Sequence, residues 1–336
     1  MKTTNKAYNR NIGIEILRMI LCFWVLSFHC LKKGKLNYFV YYITKTKFHH
    51  VPCFSFISFY FAYNIFLEAN IEKFQRRLKR LLIPYIIWPL LIFLFDNILH
   101  LLFSSEIKAI YFHDLKNQII FGRQFIVPLW FLFGVIFLSI LFFIISSVSG
   151  KYFLFMSQLL IIFAYIIQYN HKLTMFNNYK NNIKLSILDT FSIFPLSLLG
   201  INIASLKILN FFKNNISIAF IPIYLLIYTF FRYDIFIDIG GYNGIIHIFI
   251  SILLFVGFYI LPFDNSFSSF QKIIKQITSY TNGIYCLQTK ITHFVILYID
   301  PDGTIKSSLI SYILLYFISF ISMKIVGKTN FKYLFI

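Results

Sequence analysis

Charged side chains are scarce in this sequence. They make up 13% of the 336 residues, and only 12 residues are acidic, whereas about 25% of a typical soluble domain is charged. Apolar residues take their place at 59% of the chain, and 21% are aromatic. This composition leaves no stretch that suits a soluble domain, and it predicts an integral membrane protein.

Paired cysteine spacing is absent as well. The four cysteines lie in or beside apolar runs, at positions 22, 30, 53 and 286, and this arrangement predicts neither a disulfide framework nor a zinc site. The histidines at positions 49, 50, 113, 171, 247 and 293 show no metal-ligand spacing. We therefore expect no metal.

Acidic residues are too few to balance the 31 Lys and Arg residues, so the net charge is +19. The basic residues sit in short loops between apolar runs, which suits anionic lipid headgroups and an orientation bias better than nucleic acid. No small-residue cleavage site follows the basic start, Met1 to Arg10, so the first apolar run is predicted to be retained. We expect a lipid bilayer as partner and no nucleic acid.

Long apolar runs are what the sequence does contain. Runs of about 20 residues suit membrane helices and exclude barrel strands of about ten, and together they predict an all-α membrane protein, a bundle of about ten transmembrane helices. The ten candidate spans are residues 13–31, 52–68, 81–103, 128–147, 152–170, 185–205, 216–231, 244–262, 280–299 and 307–326.

The even number of spans places both chain ends on one side of the membrane. The basic cluster at Lys73 to Arg80 favours the cytoplasm for that side. We expect a multi-pass protein of the cell membrane with cytoplasmic N- and C-termini, a short tail at residues 1–8 and one membrane domain at residues 9–330. The polar loops 32–51, 104–127 and 171–184 are expected to be solvated turns.

The first span, Gly13 to Leu31, carries Glu15, Arg18 and His29 inside its apolar run. Arg18 and His29 lie about 20° apart on a helical wheel and about 16 Å apart along the axis, with Glu15 near the same line. Ionisable residues at membrane depth usually face a protein interior or a wet cavity, which favours a site. Alternatively, Glu15 and Arg18 form only a local i,i+3 pair, and His29 lies in the interface.

A second informative stretch runs from Phe74 to Trp88. Arg77 and Arg80 stand at i,i+3 just before the third span, and arginine forks match phosphate oxygens in a bidentate manner. This pattern predicts a site for a phosphorylated cofactor at the cytoplasmic surface. The alternative is a basic cluster that only anchors lipid headgroups.

Six patterns occur in order across the ten spans. They are Arg18 followed after ten residues by His29, VPCFSFISFYF from Val51, Arg77 and Arg80 followed by LLIPYIIW, PLWFL from Pro128, FPLSLLG from Phe194, and YTNGIYCLQTKI from Tyr280. Together they resemble the acyltransferase-3 family of integral membrane acyltransferases over nearly the whole chain. Two departures are Phe59, where the family often has glycine, and Gln288, where a histidine is frequent.

The resemblance implies an O-acyltransferase. It would move an acyl group, usually acetyl, from a cytoplasmic coenzyme A thioester to a hydroxyl of a cell-envelope sugar or polysaccharide. The partners implied are acyl-CoA as a donor substrate, with no permanently bound cofactor, and an envelope carbohydrate as acceptor.

Each site residue receives a role by this resemblance. His29 would be the general base, Arg18 would bind the donor's anionic part or keep the site electropositive, and Glu15 would orient Arg18. The donor would meet Arg77, Arg80 and Trp130, unless Trp130 belongs to an interfacial aromatic belt. The acceptor would meet Asn282, Tyr285 and Gln288, unless this stripe only joins helices.

The rival hypothesis is an exporter or flippase of polysaccharide or lipid-linked sugar, because a bundle of ten helices with an internal polar stripe suits transport too. The pairing of Arg18 and His29 with Arg77 and Arg80 favours the enzyme, since an exporter has no need of it. A purely structural membrane protein gives no reason to keep Arg18 at membrane depth.

Overall fold

The computed structural model describes residues 11–30, 50–103, 110–122, 126, 129–174, 182–207, 209, 245–261, 268–299 and 305–326. In these ranges the chain forms helices and no strand, which confirms the all-α prediction. The α-helices are α1 (Ile12–Cys30), α2 (His50–Tyr60), α3 (Tyr63–Leu67), α4 (Ile71–Phe103), α5 (Phe112–Phe121), α6 (Leu129–Ser149), α7 (Phe153–Thr174), α8 (Asn182–Ser205), α9 (Ile245–Ile260), α10 (Ser268–Ser279), α11 (Thr281–Tyr298) and α12 (Ile305–Val326).

Two stretches of the described chain are long and apolar enough to cross a bilayer by length and composition, Ile71–Leu102 and Leu129–Ala164. Three shorter apolar helices accompany them, Val51–Tyr60, Phe249–Ile260 and Lys306–Ile321. The predicted span at 216–231 lies outside the described residues. The number of membrane-crossing helices therefore stays a prediction, whereas the helical class is settled.

The helix boundaries differ from the sequence-based spans in several places. The second span is divided into α2 and the short α3, and the third helix begins at Ile71, ten residues before the predicted start. The stretch 104–127, expected to be a solvated turn, contains α5, which ends at Gly122 with a φ of 68°. Only one apolar side chain of α5, Leu115, is buried, so its hydrophobic pattern is too weak to predict a helix.

Helix α1 lies among five neighbours, α2, α9, α10, α11 and α12. Its start is fixed by Asn11, whose side-chain amide donates to the Tyr259 carbonyl oxygen at 2.9 Å. The absence of a side chain at Gly13 lets α1 approach the backbone carbonyl of Phe258 in α9. Glu15 and Cys22, on the polar face of α1, are buried among these neighbours.

Helices α2 and α8 also approach each other closely. A Cβ added to Gly200 would lie 2.7 Å from the Phe56 carbonyl oxygen, and the Ser55 and Ser197 hydroxyls are 2.5 Å apart. Small residues permit this approach between membrane helices.

Candidate functional site

The polar face of α1 begins with an ion pair. Nη1 of Arg18 lies 3.2 Å from Oε2 of Glu15 and 3.4 Å from Oε1. Glu15 is 5% exposed, and the Arg18 side chain is 25% exposed. The local i,i+3 pair is thus formed, and it fixes the position of the Arg18 guanidinium because the carboxylate is itself held in the protein interior.

The same face continues to Cys22, whose side chain makes a hydrogen-bond contact with that of Thr281 at the start of α11. The Phe23 ring beside it meets the Tyr312 ring of α12 edge-on, with centroids 5.8 Å apart. Helices α11 and α12 therefore cover this side of α1.

His29 lies in the last turn of α1, and its side chain is outside the described part of the chain. The helix places position 29 two turns beyond Cys22, rotated by only about 20°. Its role as a general base remains a prediction, although position 29 lies on the helix face that carries Glu15 and Arg18.

Arg77 is buried and joins three helices. From α4, its Nε donates to the Ser139 hydroxyl of α6 at 3.1 Å. Its Nη2 donates to the Ser58 hydroxyl of α2 at 2.9 Å, and its Nη1 donates to the Ser58 carbonyl oxygen at 3.3 Å. The guanidinium also lies 4.9 Å from the centroid of the Phe59 ring, which is a cation–π contact.

Arg80 differs from Arg77 although both stand on one helix, three residues apart. Its side chain is exposed, and its Nε donates to the Arg76 carbonyl oxygen at 3.4 Å. Arg76 and Lys79 are exposed beside it. The structure thus places Arg77 in the interior and presents Arg80 at the surface, and their joint binding of donor phosphates stays a prediction.

Trp130 is buried at the start of α6, where its ring meets the Phe131 ring edge-on at 6.2 Å. It belongs to an apolar cluster that includes Phe59, Phe142 and Phe194. A tryptophan at this place differs from one in a lipid-facing belt, because its ring is enclosed by protein.

The three residues predicted on α11 are described unequally. Asn282 and Tyr285 belong to the helix, but their side chains are outside the described part. Gln288 is 1% exposed, and its Nε2 has no hydrogen-bond partner among the described residues. The sequence predicts a site residue at position 288 but does not predict its burial, because that burial depends on the helices that cover it.

Among the described residues, no group of three His, Cys, Asp or Glu side chains is placed so that it could hold a metal ion. The polar groups that the structure does describe are the Glu15–Arg18 ion pair, the contacts of Arg77 with Ser58 and Ser139, and the buried amide of Gln288.

Comparison with known proteins gives one match. A family model described as an acyltransferase domain matches residues 11–326, which includes all the described helices. No curated protein and no solved structure matches the chain.

Proposed function

This chain belongs to the acyltransferase-3 family, and we propose that it is a membrane-bound O-acyltransferase. It takes an acyl group, most often acetyl in this family, from a cytoplasmic coenzyme A thioester and gives it to a hydroxyl of an envelope sugar or polysaccharide. The chain crosses the cell membrane about ten times, with both termini in the cytoplasm.

The observation that carries the proposal is the enclosed polar face of α1. A buried carboxylate and a partly exposed guanidinium lie 3.2 Å apart on a helix with five neighbours. A polar face without function is costly at membrane depth. The family assignment supplies the reaction that gives this face a purpose.

In the proposed reaction, His29 removes the proton of the acceptor hydroxyl. The oxygen attacks the thioester carbonyl, a carbon–oxygen bond forms, and the carbon–sulfur bond breaks. The leaving coenzyme A thiolate then receives the proton from the imidazolium. Arg18, held by Glu15, attracts the anionic donor, and Trp130 contacts one substrate from within the bundle.

The donor's phosphates bind at Arg80, together with Arg76 and Lys79, on the exposed face of α4. Arg77 supports this face from the interior by fixing α4 against α2 and α6. Arg80→Gln should raise the Michaelis constant for acyl-CoA, because it removes a cation that attracts the phosphates. The Michaelis constant should also depend less on salt concentration, because dissolved ions screen the attraction between exposed charges. Lys116→Gln on α5 is a matched control at another exposed cation; an equal effect there would contradict the phosphate site.

His29→Gln tests the reaction itself. Glutamine keeps the size and a hydrogen bond but cannot transfer a proton at neutral pH, so transfer should fall about 10²-fold or more at normal membrane abundance. Wild-type transfer should fall as the pH drops through the imidazole pKa, near 6.5 when unperturbed, since only neutral histidine is a base. The variant should lack that decline.

Release of free coenzyme A thiol with an envelope extract as acceptor measures the rate. An unchanged rate and pH profile in His29→Gln would contradict histidine catalysis. If the wild type consumes no acyl-CoA with any envelope acceptor, the exporter hypothesis takes the place of the enzyme.

A further inference from the structure

Gln288 combines burial with an unused hydrogen-bond donor. The residue is 1% exposed, and its Nε2 has no partner among the described residues. A buried donor left without a partner is destabilising, because it has lost its hydrogen bonds to water. Such a group in a native structure calls for an explanation, and a ligand that accepts the hydrogen bond is one.

The register between α1 and α11 gives the level of this amide along the helix bundle. Cys22 of α1 contacts Thr281 of α11. One turn further along each helix, Leu26 and Ile284 belong to the same apolar cluster. In the predicted topology the first and the ninth spans cross the membrane in the same sense, so the two helices advance in the same direction from the contact between Cys22 and Thr281.

Seven residues beyond that contact, helix α1 reaches position 29 and helix α11 reaches position 288. Seven residues span about 10.5 Å and return to the same face of a helix within about 20°. Gln288 thus stands on the α11 face that carries Thr281, at the level of position 29 on α1. An amide donor and the position of the expected general base share one level of the bundle.

We propose that the Gln288 Nε2 donates a hydrogen bond to the acyl carbonyl oxygen of the donor thioester. This assignment rests on the proposed acyl transfer. When the acceptor oxygen attacks, that carbonyl oxygen becomes an oxyanion, and a donor fixed in a water-poor site stabilises it more than it stabilises the ground state. The amide transfers no proton, so the proton path between acceptor, position 29 and leaving thiolate is unchanged.

The surroundings of Gln288 favour donation to the substrate carbonyl over a hydrogen bond that joins two helices. A glutamine that joins helices donates to an oxygen of the neighbouring helix, and the described part of the bundle offers Nε2 no such oxygen. Glutamine also suits an oxyanion donor better than an acid–base group, since it stays neutral and keeps its N–H at any working pH.

Gln288→Met tests the assignment, because methionine matches the length of glutamine and lacks the donor. We expect kcat for transfer from acetyl-CoA to fall about 10²–10³-fold, with the Michaelis constants of both substrates nearly unchanged. Resistance to unfolding in detergent should stay the same or rise, because an unpartnered amide is removed. Gln288→His keeps an N–H donor and should restore most of kcat.

The matched control is Thr292→Val, one turn along α11. The Thr292 hydroxyl donates to the Gln288 carbonyl oxygen of its own helix at 2.7 Å, so this variant should leave kcat within about twofold. An active wild type with an unchanged kcat in Gln288→Met would overturn the assignment alone. Loss of both unfolding resistance and kcat in Gln288→Met, without rescue by histidine, would show that the amide is structural. A wild type that consumes no acyl-CoA overturns the proposed function and this assignment together.

Discussion

Two arginines of the helix bundle, Arg18 and Arg77, have different hydrogen-bond partners. Arg18 has a carboxylate, Glu15, on its own helix at 3.2 Å. Arg77 donates to neutral oxygens of Ser58 and Ser139, which belong to two other helices. The first arrangement is a local ion pair, and the second is a junction of three helices.

The difference separates the tasks that the two side chains can perform. Arg18 keeps part of its surface exposed and holds its partner within one turn, so it can turn toward an anionic substrate without separating helices. Arg77 cannot leave its position without breaking contacts between α2, α4 and α6. We infer that Arg18 serves binding and that Arg77 maintains the position of the helices beside the site.

Arg77→Lys should have the largest effect on stability. Lysine keeps the charge, but its compact ammonium cannot reproduce the fork that reaches both Ser58 and Ser139. We expect the free energy of unfolding to fall by about 2–3 kcal/mol, because hydrogen bonds to a buried charge are lost. Equilibrium unfolding in detergent measures it, with the exposed Arg80→Lys as control. An equal loss in the control would remove the distinction between interior and surface.

Ser139→Ala should have an intermediate effect. It removes the acceptor of the Arg77 Nε and leaves that N–H without its partner, which should cost about 1–2 kcal/mol. Ser147→Ala on the same helix is the matched control, because the exposed Ser147 hydroxyl donates only within α6, to the Phe143 carbonyl oxygen at 2.8 Å. If both variants unfold alike, Arg77 does not depend on its contact with α6.

Glu15→Gln should have the smallest effect. The glutamine oxygen still accepts a hydrogen bond from Arg18, and the lost attraction is offset because a buried carboxylate no longer has to be desolvated. The free energy of unfolding should therefore change little, whereas the Michaelis constant for acyl-CoA should shift because Arg18 loses its orienting charge. A loss of stability as large as that of Arg77→Lys would mean that the ion pair also holds the bundle together.

The sequence reveals local features of this site better than features shared between distant segments. The pairing of Glu15 with Arg18 follows from their spacing on one helix. The different fates of Arg77 and Arg80 do not, because burial of Arg77 depends on Ser58 and Ser139, which are 19 and 62 residues away.

The helix boundaries show the same limit. The apolar runs predict the helical class, but α4 begins at Ile71 with two basic turns that hydropathy assigns to a loop. Helix α5 was missed because Gln118 supplies much of its buried contact, donating to and accepting from the Ile126 backbone at 3.1 and 2.8 Å. A polar side chain in such a position leaves no apolar period to detect.

Transfer of the acyl group to an envelope sugar can be measured directly. Purified protein in lipid vesicles should be incubated with acetyl-CoA labelled in the acetyl group, and in parallel with acetyl-CoA labelled in the adenine ring, together with an envelope polysaccharide extract. Only the acetyl label should enter the polysaccharide, and mild base, which cleaves oxygen esters, should release it. If no acetyl label enters any carbohydrate acceptor and the acetyl-CoA is not consumed, the assignment as an acyltransferase of envelope sugars is contradicted.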